Sequence, residues 1–484
     1  MKHYVWVLAL FLVGCSLAPP YQRPVQNLPP IWEESDAAGL DAQWWQRFND
    51  PALDAMVLEA LHHNRDLAAS MARVEQAAAT AGISLSALAP APSIDGSAGE
   101  RWSSTRIAGA PPKGFEKSRN HDLYLGAAWE LDFWGKYRNA HLGDKAKWLA
   151  SEADLAGARL LVAATVAKSY FDLLNFSFQV DVAQRTLVQR LQALDMQKSS
   201  EEIGFSSRAD LLRAQSEVES ARYNLALSRL GLDAAQSSLL VLLGRSAAEI
   251  MRRNSPVPGN VLDALPTVPV LPDGMPSALL TRRPDLRSAE QALRAAHFDV
   301  GVVRADYFPQ LSLTGKTGWA AQEAGDLSLG GSSSWNYGLS LRLPLDFWTT
   351  RFRELMTEAR CRESVARYEK AVQSAFRDVR NALTQQALLA DASAALERRI
   401  VDLTEAVDKA DDRYRNGYSN FLDVLDADRE LFAAQLGWAQ TRAQQLQATV
   451  DVCVALGGGW ETDAPAPAQD PNVVEHDLSV GGAQ

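Results

Sequence analysis

The chain of 484 residues is written twice, and a duplication constrains a fold more than any local propensity does. Arg65-Asp66-Leu67 aligns with Pro284-Asp285-Leu286. At the same offset, without a gap, Gly82 falls on Gly301, Pro90 on Pro309, Ser93 on Ser312, Gly96 on Gly315 and Gly99 on Gly318. Further on, Leu131-Asp132-Phe133-Trp134 recurs as Leu345-Asp346-Phe347-Trp348. Gly204, Asp210, Leu212, Ala214, Glu217, Leu243 and Gly244 recur as Gly417, Asp423, Leu425, Ala427, Glu430, Leu456 and Gly457. The two repeats occupy residues 36–250 and 277–460, and the Pro-rich, turn-forming stretch 251–276 reads as a linker between them.

Each half carries the same order of elements. A helical segment (66–89; 284–305) leads into two strand-like stretches, then a very long helical stretch, a turn at Gly204 or Gly417, and a second helix. The strands alternate with period two. In 336–346, Tyr337, Leu339, Leu341, Leu343 and Leu345 share one face; in 121–132, Leu123, Leu125, Ala127, Trp129 and Leu131 do. The stretches 310–319 and 93–102 follow the pattern more weakly. At about ten residues apiece, such strands can cross a membrane when tilted. Alternation by itself favours a soluble sheet packed on helices. In lipid, four strands cannot close a barrel, and an open edge leaves backbone groups unsatisfied, so a membrane reading requires several chains to share one barrel.

The helices have a different period. Val166, Leu173, Val180, Leu187 and Leu194 are spaced by heptads, as are Ala375, Ala382, Leu389, Leu396 and Leu403. The shorter helices repeat this with Leu211, Val218, Leu225, Leu232 and Leu239, and with Leu425, Phe432, Ala439, Leu446 and Cys453. A proline-free helix over 136–202 would be on the order of 100 Å long, a rod that bridges a gap. Small pairs such as Ala163-Ala164 and Ala394-Ala395 permit close helix approach.

The N-terminus reads as an address. The apolar run Val5 to Val13 is too short to span a bilayer and suits a signal-peptide core over residues 1–14. It ends in Leu12-Val13-Gly14-Cys15, which resembles a bacterial lipobox, with Cys15 as the lipidated first residue of the mature chain. Ser16 in place of Asp implies onward export to the outer membrane. Residues 15–35, with Pro19, Pro20, Pro24, Pro29 and Pro30, suit an extended tether, and the acidic Pro/Ala/Gly-rich tail 461–484 suits disorder.

Composition narrows the function. A formal net charge of -11 argues against a nucleic-acid surface. Three cysteines (Cys15, Cys361, Cys453) form no disulfide framework, no metal-ligand spacing occurs, and no cofactor is implied. The sequence contains no G-x-S-x-G, Walker A, G-x-G-x-x-G or H-E-x-x-H constellation, so no enzyme is expected. His62 and His63, adjacent on a helix, diverge by about 100° and read as a solvated pair. Cys361 and Cys453 read as packing residues.

The lipobox, the duplicated strand-strand-helix-helix unit and the heptads together resemble the outer-membrane efflux proteins, the TolC-like family, over about residues 15–457. The most specific pieces are Trp44-Trp45-Gln46-Arg47-Phe48 with Asp50-Pro51-Ala52-Leu53, and Asn64-Arg65-Asp66-Leu67. With them stand Arg282-Arg283-Pro284-Asp285-Leu286 and Tyr414-Arg415-Asn416-Gly417 followed by Leu422-Asp423-Val424-Leu425-Asp426-Ala427. The lipoprotein branch of OprM/NodT type is the nearest in character. The resemblance implies an α+β membrane protein: a homotrimer sharing a twelve-stranded β-barrel, four strands per chain, continued by a periplasmic α-helical coiled-coil barrel. It implies the exit duct of a tripartite efflux system for drugs or other small molecules, with a periplasmic adaptor and an inner-membrane pump of the resistance-nodulation-division type as partners. The outer-membrane channel of a type I protein secretion system is the alternative within that class. A non-conducting, lipid-anchored coiled-coil tether is the alternative outside it, and it leaves the lipid-compatible strands without a use.

The resemblance also implies a periplasmic gate. Asp423 and Asp426, three apart on one helix face, would form two stacked carboxylate rings under threefold symmetry. Spacing alone equally allows them merely to complement the helix dipole, worth about 0.3 to 1 kcal/mol each. Tyr414 would bond to the neighbouring helix, and Asp210, the repeat counterpart of Asp423, is the expected partner on the other hairpin. Ser419 stands where the family pattern has an Arg, so Arg413 or Arg415 would supply that latch.

Overall fold

The computed structural model describes residues 16–24, 43–104, 115–252, 266, 268–269, 282–328 and 332–458. Cys15, most of the linker and the whole acidic tail lie outside the described residues. The chain forms two compact units, the first built on Arg65–Ala158 and Pro284–Arg377, the second on Pro30–Asn64, Arg159–Arg283 and Asp378–Gln484.

The first unit contains the helix α2 (Arg65–Ser86), the strands β1 (Ala91–Ser104) and β2 (Phe115–Leu131), and the start of α3 (Lys136–Glu202). From the second repeat come α6 (Pro284–Ala305), β3 (Gln310–Ala321), β4 (Ser333–Arg342) and the start of α7 (Phe347–Arg415). The strands form one antiparallel sheet in the order β1-β2-β3-β4, so each repeat supplies a hairpin and the β2–β3 ladder joins them. Register puts Ile94, Leu125, Thr317 and Trp335 in one row, and Trp129, Leu313 and Leu339 in another. That face is apolar yet exposed, with Ile94 at 77%, Trp335 at 72% and Leu339 at 65% of full accessibility. At its far end Glu100 pairs with Lys117 and Arg119, at 2.8 and 2.7 Å, giving the apolar band a charged border. The opposite face is polar: Ser97 Oγ donates to Asp122 at 3.0 Å, and the Lys316 ammonium lies 4.4 Å from the Tyr124 ring. β4 ends at Arg342 although alternation continues to Asp346, because Pro344 has no N–H to give a ladder.

The second unit holds a helical turn at Trp44–Phe48, α1 (Pro51–His63), α4 (Arg208–Leu242), the short α5 (Ala247–Met251), α8 (Phe421–Ala455) and the remainders of α3 and α7. Trp44 and Phe48 are buried, and Phe48 meets Phe171 at 5.1 Å. Asp50 caps α1 by accepting from the Ala52 and Leu53 amides at 2.9 and 3.3 Å, with Pro51 at the first helical position, while its other oxygen accepts from the Tyr170 hydroxyl at 2.7 Å. The heptad positions turn inward: Val166, Leu173, Leu211, Val218, Leu225, Leu239, Ala382, Leu425, Ala439, Leu446 and Cys453 are buried, and the other heptad positions of this unit are half-buried.

Candidate functional site

Two helical hairpins of the second unit carry the expected gate residues. Each long helix ends in a left-handed glycine, Gly204 (φ +79°) on α3 and Gly417 (φ +77°) on α7, a conformation L side chains rarely adopt. The glycine amide bonds back to Glu201 O or Tyr414 O at 3.0 and 2.9 Å, and the next amide to Ser200 O or Arg413 O, both at 2.8 Å. The returning helix is then capped from outside. Ser207 Oγ accepts from the Asp210 amide at 3.2 Å and Asn420 Oδ1 from the Asp423 amide at 3.1 Å.

The expected residues separate into three groups. Asp423 and Asp426 are both exposed on α8; Asp423 has no ion-pair partner among the described residues, and Asp426 pairs with Arg429 at 3.1 Å. Tyr414 accepts a hydrogen bond from Gln197 Nε2 of α3 at 2.6 Å and packs against Phe421, Leu425 and Ala214. Asp210 stays on its own hairpin, accepting from Ser207 Oγ at 2.6 Å and pairing with Arg213 at 3.1 Å. Within the chain, therefore, Gln197 and not Asp210 meets Tyr414. Arg415 pairs with Asp411 at 2.7 Å, one turn back on α7, and Arg413 is exposed beside it. Ser419 Oγ is buried without a hydrogen-bond partner.

Beneath the turns lies a charged cluster that sequence reading did not single out. Arg190 of α3, only 4% exposed, faces Glu217 of α4 at 3.2 Å and Asp428 of α8 at 3.4 Å. Arg429 of α8 clasps the same Glu217, its Nε at 3.0 Å. One buried carboxylate thus takes two guanidiniums from two helices. Burial pushes the Asp428 carboxyl above the usual carboxylate range, against the pull of Arg190, while Glu217 and Asp411 add to the rise. The hydrogen bond to Glu217 raises Arg429 further. Cys453 is buried and its thiol is pushed up to about 12 by desolvation, which fits an inert packing residue. No group of His, Cys, Asp and Glu fit to hold a metal occurs among the described residues.

A membrane-competent sheet and paired heptad hairpins in one chain can be compared directly with known proteins. Residues 56–245 and 275–458 match the family model for outer membrane efflux proteins. The chain belongs to that family. The toluene efflux pump outer membrane protein TtgF of Pseudomonas putida is 33% identical over 488 residues, covering 97% of this chain and 99% of that protein. The cation efflux system protein CusC of Escherichia coli is 30% identical over 464 residues, covering 94% and 98%. The solved CmeC outer membrane channel of Campylobacter jejuni superposes with a TM-score of 0.84 at 26% identity, over 93% of this chain and 96% of that one. This outer membrane efflux protein is a TolC-like channel with a periplasmic helical extension, and its family is one of channels, not enzymes.

Proposed function

We propose that three copies of the chain close one outer-membrane barrel, and that the duct so formed is the exit of a tripartite efflux system. A periplasmic adaptor and an inner-membrane pump of the resistance-nodulation-division type deliver the cargo, and the duct conducts it passively. The observation that carries this reading is the open sheet. β1 and β4 are edge strands, and their sheet exposes an apolar face. In lipid such edges are tolerated only when another chain pairs with them. Closure by copies of the same chain satisfies every edge at once, and the polar face then lines the lumen. Cys15 carries the lipid that adds a second hold on the membrane. Asp423 and Asp426 form the acid rings at the periplasmic entrance, Tyr414 latches the entrance closed, and Arg413 or Arg415 takes the part of the missing Arg. TtgF is named for toluene and CusC for cations, so relatives serve more than one class of cargo; in this chain the acids at the entrance favour cationic passage.

Single-channel recording in a planar bilayer tests the reading. The purified protein should give discrete conductance steps with cation preference. A bilayer that stays silent at protein densities where antibody detects the inserted chain would favour the non-conducting tether.

A further inference from the structure

The apolar face of the sheet ends differently on its two hairpins. Their tips lie at the strand ends opposite the periplasmic helices, on the outer side of the membrane. On the second hairpin the face finishes in aromatics: Trp319 and Trp335 are exposed, and the Trp335 and Tyr337 rings stack at 5.7 Å. On the first it finishes in charge. Glu100 stands directly across from Arg119, and Trp102 across from Lys117, all four on the face of Ile94 and Leu125 by strand alternation.

Both cations converge on one carboxylate oxygen. Lys117 Nζ lies 2.8 Å and Arg119 Nε 2.7 Å from Glu100 Oε1. The Lys117 ammonium also sits 5.2 Å from the centre of the Trp102 ring. Two cations against one carboxylate leave a net positive charge, and only Nε of the Arg119 guanidinium is taken up by Glu100. Its Nη groups have no acceptor among the described residues. At the repeat offsets Glu100 and Arg119 become Trp319 and Ser333, themselves partners across the second hairpin. The basic pair therefore belongs to the first hairpin alone.

Height gives the pair its setting. The β2–β3 ladder starts at His121 and Ala321, so Lys117 and Arg119 lie where the first hairpin rises past the second. Trp319 pairs with Leu123, four residues below Arg119. That step is about 13 Å along the strand and roughly 10 Å along the membrane normal at the usual tilt. Interfacial tryptophans mark the edge of the hydrocarbon, and the polar layer beyond it is about 5–8 Å deep, within reach of long cationic side chains.

We propose that Lys117 and Arg119 bind the phosphate of a phosphorylated lipid in the outer leaflet, one lipid per chain, its acyl chains lying against Leu123 and Leu125. This rests on the sheet spanning the outer membrane with its tips outward. The free Nη groups offer phosphate oxygens two donors, and the ammonium adds a point charge beside them. The outer leaflet of such a membrane is built on phosphorylated glycolipids, which supply the anion at this height. Glu100 orients both cations and competes with the phosphate for them.

Native mass spectrometry of the full-length channel in detergent, titrated with diphosphorylated lipid A, counts the bound lipid and gives its affinity. We expect saturation at one tightly held lipid per chain, and about tenfold weaker binding of the same lipid stripped of its phosphates. Lys117→Gln with Arg119→Gln should weaken binding of the phosphorylated lipid by about tenfold or more. Glu100→Gln, which removes the competing carboxylate, should strengthen it about threefold; a triad that merely braces the hairpin gives no such gain. Equal affinity in the double variant, equal affinity for the stripped lipid, or no gain in Glu100→Gln would overturn the proposal. Bilayer conductance is read on the same preparations, and silence there counts against the channel reading alone.

Discussion

The two hairpins of the second unit share a turn and differ in what holds them. Both reverse through a left-handed glycine and both cap the returning helix with a short polar side chain. The first settles its charges locally, Asp210 with Ser207 and Arg213 on its own helix. The second reaches out: Tyr414 leans on Gln197, while Asp428 and Arg429 lean on Arg190 and Glu217. The lesson is that identical turns need not be equally anchored. The first hairpin is a self-contained post, and the second is tied to it by a few polar contacts that can be undone one at a time.

The sharpest break in this comparison comes from the pair Glu217 and Glu430, equivalent in the repeat but not in setting. Glu217 is buried between two guanidiniums, whereas Glu430 and its partner Arg399 are exposed. Glu217→Gln should destabilise the helical portion by about 3 kcal/mol, because it leaves the buried Arg190 with Asp428 as its one remaining carboxylate partner among the described residues. Glu430→Gln should cost less than about 1 kcal/mol. Denaturant titration followed by the helical circular dichroism signal checks both; equal losses would erase the distinction between the hairpins.

The next test concerns the exposed acids. Asp423→Ala with Asp426→Ala should lower cation preference several-fold in bilayer recordings and weaken block by divalent or trivalent cations from the periplasmic side. Asp210→Ala, on the self-contained hairpin, should change selectivity far less. A smaller effect is expected of Tyr414→Phe. It removes the acceptor of Gln197, a loss of about 1 kcal/mol, and should raise basal conductance without altering selectivity.

The smallest effect is in pH. Because burial raises the Asp428 carboxyl above its unfolded value, the folded state holds that proton more tightly. Its charged form is a burden above the raised value, relieved as pH falls through it toward the ordinary carboxylate range. Mild acidification should therefore stabilise the second hairpin slightly in the wild type. Thermal unfolding of Asp428→Asn across the same pH window should lack that component.

Much of this was legible in the sequence, for reasons that also explain what was not. Duplication and heptads located α3, both turns and the order of elements, since period and repeat are properties of the chain itself. They are blind to what the repeats do not share. The counterparts of Arg190, Asp428 and Arg429 are Leu403, Gln215 and Ser216, so comparing the halves hid the cluster. The match of Glu217 with Glu430 suggested equivalence that burial denies. Proline content suggests an extended tether over residues 15–35 and is silent on where residues 16–24 rest, because contacts with Glu290, His297 and Tyr368 lie hundreds of residues away and leave no local pattern.

The central claim is that this chain is one third of a closed channel, its sheet edges satisfied by copies of itself. The native mass of the detergent-solubilised protein, measured with the bound detergent subtracted, tests it most directly. Three chains per particle is the predicted result. A stable monomer or a closed dimer would contradict the account, since four or eight strands would leave no barrel wide enough to continue the helical duct.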